Sequence, residues 1–318
     1  LPFAIALAWF QAKGALGDLQ QVLFVFTPYY TKLSWEGRSV FGMGWTGFED
    51  WLMTYSSALF AGIVLLLAMR PTRAELPSVV TLGAIIALHL AGVVMQGKFF
   101  PYHWGATFPL TALLAGLGWM KLARWAASKH AAALGIVACA FPLVAAVHAP
   151  VPDVGRNFAA RTWDRFQLYV RGPMDPAKRD ALASVRGVSM AQSRAVAEWV
   201  KAHTRPRDPI FVWGFACVIY DLSERPLASR YIYDLPQRAV WSRAEMQKAL
   251  MSELAQSRPA VIVVQHGDVF AFVTGDDRDS AQSLGDFPEL RTLLAEDYAV
   301  ATTIGDFDVY LRSPVSAG

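Results

Sequence analysis

Long uncharged stretches alternate with short charged ones over the first 149 residues, and the pattern then changes. Leu1–Ala12 holds no charge, but a membrane span needs about 20 residues, so this run reads as the tail of a cut span. Trp51–Met69 has no charged residue. Leu76–Gly97 is broken only by His89, and Gly105–Met120 and Ala131–Val147 follow, the last containing Pro142. Counting the first as truncated, the chain is expected to make about five spans. Between the first two lies 13–50. Within it Leu19, Val22, Leu23, Val25, Phe26, Tyr29 and Tyr30 are spaced for a surface helix over Asp18–Thr31, ended near Pro28. Glu36–Gly47, with four glycines, reads as a loop.

Beyond Pro150 the periodicity is that of a water-soluble fold. Prolines 150, 152, 173 and 176 mark a connector over 150–187, with a helix at Asn157–Val170. Ser189–His203 repeats its apolar residues at helical spacing. Pro209–Trp213 and Ala260–Gln265 are short apolar strands, and Phe215–Leu222 is a short helix. Tyr231–Asp234 reads as a strand. Ser242–Gln256 reads as a helix with a capping box of Ser242 and Glu245, and Pro288–Ala295 as a further helix. Tyr298–Ile304 and Phe307–Arg312 form a hairpin across Gly305-Asp306. The expected fold is therefore an α-helical polytopic membrane domain over 1–149 with an outer-face loop at 13–50, the connector, and a small external α/β domain over 188–318.

Charge sharpens this division. Residues 1–149 carry 9 Lys/Arg and 5 Asp/Glu, and residues 150–318 carry 20 and 21. No basic domain suited to nucleic acid is present. Arg70 and Arg73 sit in one short loop, and Lys121, Arg124 and Lys129 in another. Placing both on the cytoplasmic side puts the link Lys98–Trp104 and the C-terminal domain outside. The two cysteines, Cys139 and Cys217, fall one in each half and are expected to be free thiols.

Candidate chemistry gathers in that link, Gly97-Lys98-Phe99-Phe100-Pro101-Tyr102-His103-Trp104. Lys98 can meet a phosphate, with Tyr102 and His103 as further donors. An interfacial anchor made of Lys98 and Tyr102 is the plainer alternative. A second aromatic stretch on the same face offers Tyr30, Lys32, Trp35 and Glu36, where rings stack on sugars and a carboxylate binds hydroxyls. An aromatic belt is the alternative there. Glu36, Glu49 and Asp50 are acids of that outer segment able to act as a general base. His89 reads as a helix-packing residue, and Asp276-Asp277-Arg278-Asp279 as a solvated loop. Gly214 resembles a strand-to-helix turn whose amides can receive an anion. Cys217, His203 and His266 share no metal spacing, and no glycine-rich nucleotide motif occurs, so neither a metal nor a cofactor is expected.

The stretches GKFFPYHWGATFP (Gly97–Pro109) and EWVKAHTRPRDPIFVWGF followed by IYDLSERPLASRYIY (within Ala197–Tyr233) resemble bacterial polytopic glycosyltransferases of the GT-C type, the protein O-mannosyltransferase-like and aminoarabinose-transferase-like enzymes. The resemblance is to their C-terminal half. It implies an inner-membrane protein that takes a sugar from a polyprenyl-phosphate donor to a glycan, lipid or protein acceptor on the periplasmic face. In that family the catalytic acid lies in a first external loop, which is expected upstream of residue 1. Lys98, Tyr102 and His103 match the kind of residue that holds the donor phosphate. A non-catalytic membrane subunit whose external domain binds a glycan or protein is the alternative reading.

Overall fold

The structure, a computed structural model, describes residues 2–54, 57–129, 131–133, 135–136, 140, 163–168, 170–172, 175–184 and 188–313. The chain divides into two compact units: Leu1–Tyr30 with Met174–Gly318, and Thr31–Pro173. The N-terminal thirty residues thus group with the C-terminal domain, not with the apolar helices that follow them.

The expectation of five spans is overturned. Among the described residues two helical stretches are long and apolar enough to cross a membrane, Leu76–Gln96 and Tyr102–Ser128. Pro2–Ala12 has 11 residues, about 16 Å of helix. Within the uncharged run Trp51–Met69 the structure describes the last turn of the helix Val40–Thr54 and the 13-residue helix Ser57–Met69, with residues 55 and 56 outside the described residues. Neither helix, as described, is both long and apolar enough to cross a membrane, which takes about 20 residues. Ala131–Val147 lies almost wholly outside the described residues.

In the second unit the long helices meet through small residues. Gly62 and Gly118 leave no room for a side chain: a Cβ on Gly62 would lie 2.6 Å from the Ala115 carbonyl oxygen. Ser57–Met69 and Phe108–Ser128 therefore pack backbone to backbone, as small residues allow where lipid removes the usual apolar driving force. Leu76–Gln96 begins with proline in its first turn and ends at Gly97 in the left-handed conformation (φ 66°). At its start Lys121 Nζ is 2.7 Å from Glu75 Oε2, so the basic ends of both long helices meet. Val80, Ile85, Leu88 and Met95 on this helix stay exposed, Leu88 at 74%. The core helix of a soluble protein would cover such a face.

Two helical stretches depart from the sequence pattern. Pro28 does not end a helix. Leu16–Gln20 widens into a π-helix over Gln21–Phe26, where Thr27 N donates to Val22 O, and Thr27–Trp35 continues in α register. The wider turn accommodates a residue with no N–H to offer the preceding turn. The expected loop Glu36–Gly47 is mostly the start of Val40–Thr54. Ser39 Oγ accepts from Gly42 N at 3.0 Å, and a Cβ on Gly47 would meet Val94 at 2.6 Å and Phe99 at 3.1 Å. Gly47 serves close packing, whereas Gly37 keeps a turn at φ 70°.

The α/β part of the first unit follows the pattern closely. Strands β1 (Ile210–Trp213), β2 (Val261–Gln265), β3 (Tyr298–Ile304) and β4 (Phe307–Arg312) form one sheet in the order β1-β2-β4-β3. β1 runs parallel to β2 with Trp213 opposite Val264, and β4 is antiparallel to both β2 and β3. β1 and β2 are buried along their whole length, as a strand covered on both faces must be. One face packs Val196, Ala197 and Val200 of helix Met190–His203; the other packs Leu250 and Leu254 of Arg243–Ser257 and Leu290 and Leu294 of Pro288–Asp297. Tyr231–Asp234 is not a strand; it leads into the short helix Leu235–Arg238. Ser242 forms no capping box, because its hydroxyl donates to Pro236 O at 2.7 Å.

Candidate functional site

The link between the two long helices is built as a packed aromatic corner. After Gly97, Phe99 also takes positive φ (44°), and Pro101–Thr107 then winds as a 3-10 helix. Phe99 stacks on Trp104 with centroids 6.2 Å apart, and Trp104 is 1% exposed. Trp51 Nε1 donates to Thr107 Oγ1 at 3.3 Å, and Thr107 Oγ1 donates to Trp104 O at 2.7 Å. Helix Val40–Thr54 is thereby held along the link.

Lys98 lies inside this corner at 5% exposure, and burial pushes its ammonium down to about 8. A cation brought out of water favours any arrangement that delivers an anion to it. Tyr102 points out at 73% exposure, its ring 4.5 Å from that of His103. The His103 carbonyl oxygen is 2.6 Å from His89 Nε2, which explains the lone histidine of the span, and His103 Nδ1 is buried without a hydrogen-bond partner.

The second aromatic stretch is divided. Trp35 Nε1 donates to Met95 O at 3.0 Å, and a Cβ on Gly97 would lie 2.8 Å from Ser34 Cβ and 3.4 Å from Trp35 Nε1. Trp35 and the Lys98 link are therefore brought together, although 60 residues separate Trp35 from Met95. Lys32 and Glu36 are exposed. Tyr30 belongs to the other unit, where it stacks on Phe26 at 6.1 Å. Asp50 is a half-buried residue of the helix Val40–Thr54 instead of a loop acid, and that helix touches the link through Gly47 and Trp51. Burial, with Glu49 adding, raises its carboxyl above the usual range.

The α/β unit holds a cluster the sequence did not reveal. Gly214 approaches β2 so closely that a Cβ would lie 2.5 Å from Gln265 Cβ. Gln265 Oε1 accepts from the amides of Phe215 and Ala216, each at 2.9 Å. The amides expected to receive an anion are thus occupied from within the protein. Below them Asp234, Arg238, Asp268 and Ser280 are all buried. Asp276 pairs with Arg278, and Asp279 caps Ser280–Ser283 in a capping box with Gln282, so that loop is a structural device. Only the pairing of distant segments assembles these groups, and no local motif announces them. Among the described residues no group of three or more His, Cys, Asp or Glu could hold a metal ion, and Cys217 is a free thiol.

No protein-family model, curated protein or solved structure matches the chain.

Proposed function

We propose that the chain works at a membrane, where the Lys98 corner receives the phosphate of a polyprenyl-linked sugar, and that it serves glycosyl transfer. The observation that carries this reading is the burial of Lys98 in the turn between two helices long and apolar enough to cross a bilayer. A cation there neutralises a lipid phosphate at the depth where head groups lie, and it stabilises the charge that grows on the leaving phosphate. Trp35 supplies a ring beside the link for a sugar face. Asp50, with its raised carboxyl, is the acid suited to take a proton from an acceptor hydroxyl. The resemblance to GT-C glycosyltransferases supports the same reading. The basic residues Arg70, Arg73, Lys121, Arg124 and Lys129 mark the cytoplasmic ends of the helices, and the Lys98 link then faces the periplasm of a bacterial inner membrane.

The test is donor binding by the full chain in lipid nanodiscs. Lys98→Gln should weaken a polyprenyl-phosphate sugar by about tenfold or more, the effect of losing one charge-assisted contact of ~1.5 kcal/mol or above. Lys98→Arg should stay within a few-fold of the parent. Equal affinity in the parent and Lys98→Gln would leave Lys98 an interfacial anchor and remove the reading. Asp50→Asn should keep donor binding and lower transfer by about a hundredfold or more.

A further inference from the structure

The cluster under the carboxyl ends of β1 and β2 is unbalanced in charge. Asp234 is 1% exposed, and neither of its carboxylate oxygens accepts a hydrogen bond. The nearest cation is Arg238, whose Nη1 lies 3.5 Å from Asp234 Oδ2. Asp268 is fully buried in the same cluster. It accepts from Ser280 N at 2.7 Å, Ser280 Oγ at 2.6 Å and Phe215 N at 3.3 Å. Arg238 is 3% exposed, donates to Ser280 Oγ at 2.9 Å and to Arg278 O at 2.6 Å, and lies over the Phe215 ring at 5.7 Å.

Other charges nearby are engaged elsewhere. Helix Arg243–Ser257 brings Arg243, which pairs with Asp286 at 2.6 Å and donates to Arg238 O at 3.2 Å. Arg278 pairs with both Asp276 and Asp286. Helix Ala271–Thr274 has no titratable side chain. Two buried carboxylates therefore share one buried guanidinium.

We propose that Asp234 and Asp268 hold one proton between them, carried by Asp234, and that its loss loosens the strap Tyr231–Ser242. Donors decide where the proton sits. Three hydrogen bonds favour the ionised form of Asp268 against its burial, whereas both Asp234 oxygens lack a well-formed hydrogen bond and feel only the weaker pull of Arg238 and Ser280. Burial, with Asp268 adding to it and Arg238 opposing it, pushes Asp234 up to about 6 from an ordinary 3.8. The strap has work to do in the fold. It carries Tyr233, stacked on Phe215 at 5.9 Å, and Trp241, whose ring lies 5.6 Å from Phe26 and 6.4 Å from Tyr29. Loosening it frees the contact that ties the N-terminal helices to the α/β core within this unit.

The sign follows from linkage. Between 3.8 and about 6 the closed strap binds a proton that an opened strap releases. Closure is therefore fully favoured below that window and is lost as pH rises through it.

Hydrogen exchange on the full chain tests this. After correction for intrinsic rates, strap amides should open about a hundredfold more at pH 7 than at pH 4, from about two decades of linkage. Amides of β1 and β2 should not follow. Asp234→Asn, which mimics the protonated acid, should keep the low-pH protection at both values. Should that variant fail to fold, infrared spectroscopy of the parent supplies the second measurement: a buried protonated-carboxyl band should be present at pH 4 and vanish on passing about pH 6. A strap with no pH response, an Asp234→Asn chain that keeps the parent response, or the absence of the carboxyl band at pH 4 overturns the proposal.

Discussion

Single residues in this chain are decided by who answers a charge when water leaves. Asp180 shows the ordinary case. It is 5% exposed and takes Nε and Nη2 of Arg194 at 2.9 to 3.2 Å. The Arg194 hydrogen bonds, more than any other influence, hold its carboxyl below the usual range. The two partners differ in solvent access, with the Arg194 side chain 30% exposed and that of Asp180 7%. Arg194→Ala leaves the buried carboxylate with only the longer Arg179 contact, Nε to Oδ1 at 3.7 Å, and should cost about 2–3 kcal/mol, whereas Asp180→Ala leaves an arginine that can turn to water and should cost about half as much. Chemical denaturation of both variants checks the order, and equal losses would refute it. Lys98 was legible in the sequence as a charge between two apolar runs. Its depth was not, because the link that carries it is folded by contacts between distant segments, such as Trp35 Nε1 to Met95 O, that no local pattern announces. Asp234 and Asp268 were not legible at all: they sit 34 residues apart in unremarkable surroundings, and only the β1–β2 pairing and the Leu235–Arg238 turn bring them to one guanidinium.

At the scale of elements, the sheet and the two long apolar helices, Leu76–Gln96 and Phe108–Ser128, were readable, and the shorter apolar helices were not. β2 announces itself because four consecutive β-branched apolar positions, Val261–Val264, in so short a run suit a doubly covered strand, and the β3–β4 hairpin is fixed by Gly305 at φ 56°. The apolar first half gives no such phase. Uniform hydrophobicity has no period, so it cannot tell where one helix stops and the next begins. Glycines misled in the same region. Gly42, Gly44 and Gly47 read as a loop by composition, yet they are helical positions, and Gly47 is pressed against Val94 and Phe99. Gly62 and Gly118 do the same work between Ser57–Met69 and Phe108–Ser128. Gly118→Val should force these helices apart and destabilise the second unit by about 1–3 kcal/mol, read as a lowered unfolding midpoint in detergent. Gly116→Ala, two residues away with nothing within 4 Å of its Cβ, should leave the midpoint unchanged or raise it. A Gly118→Val protein as stable as the parent would mean the helices do not rely on that contact.

For the molecule as a whole, the open matter is how the chain sits in a membrane, and its charge distribution makes a definite statement. Each unit has its own core. Among the described residues only the second contains helices of spanning length, and these leave Leu88, Met95 and Leu113 more than half exposed. That surface is stable in hydrocarbon and is a liability in water. The salt bridge between Lys121 and Glu75 fixes which helix ends lie together, so Arg70 and Arg73 share a side with Lys121, Arg124 and Lys129. Residues 97–101 are at the opposite end of Leu76–Gln96. A span of 21 helical residues covers about 31 Å, the thickness of the hydrocarbon core, so the two ends must emerge on different faces if the helix crosses. Single-cysteine proteins settle the matter once Cys139 and Cys217 are replaced by serine. Tyr102→Cys, at an exposed position of the link, should react with a membrane-impermeant thiol reagent added to intact spheroplasts. Arg73→Cys should react only after permeabilisation. Labelling of both from the same side would show that Leu76–Gln96 lies along the surface instead of crossing, and the Lys98 corner would then meet lipid phosphates from the plane of the head groups.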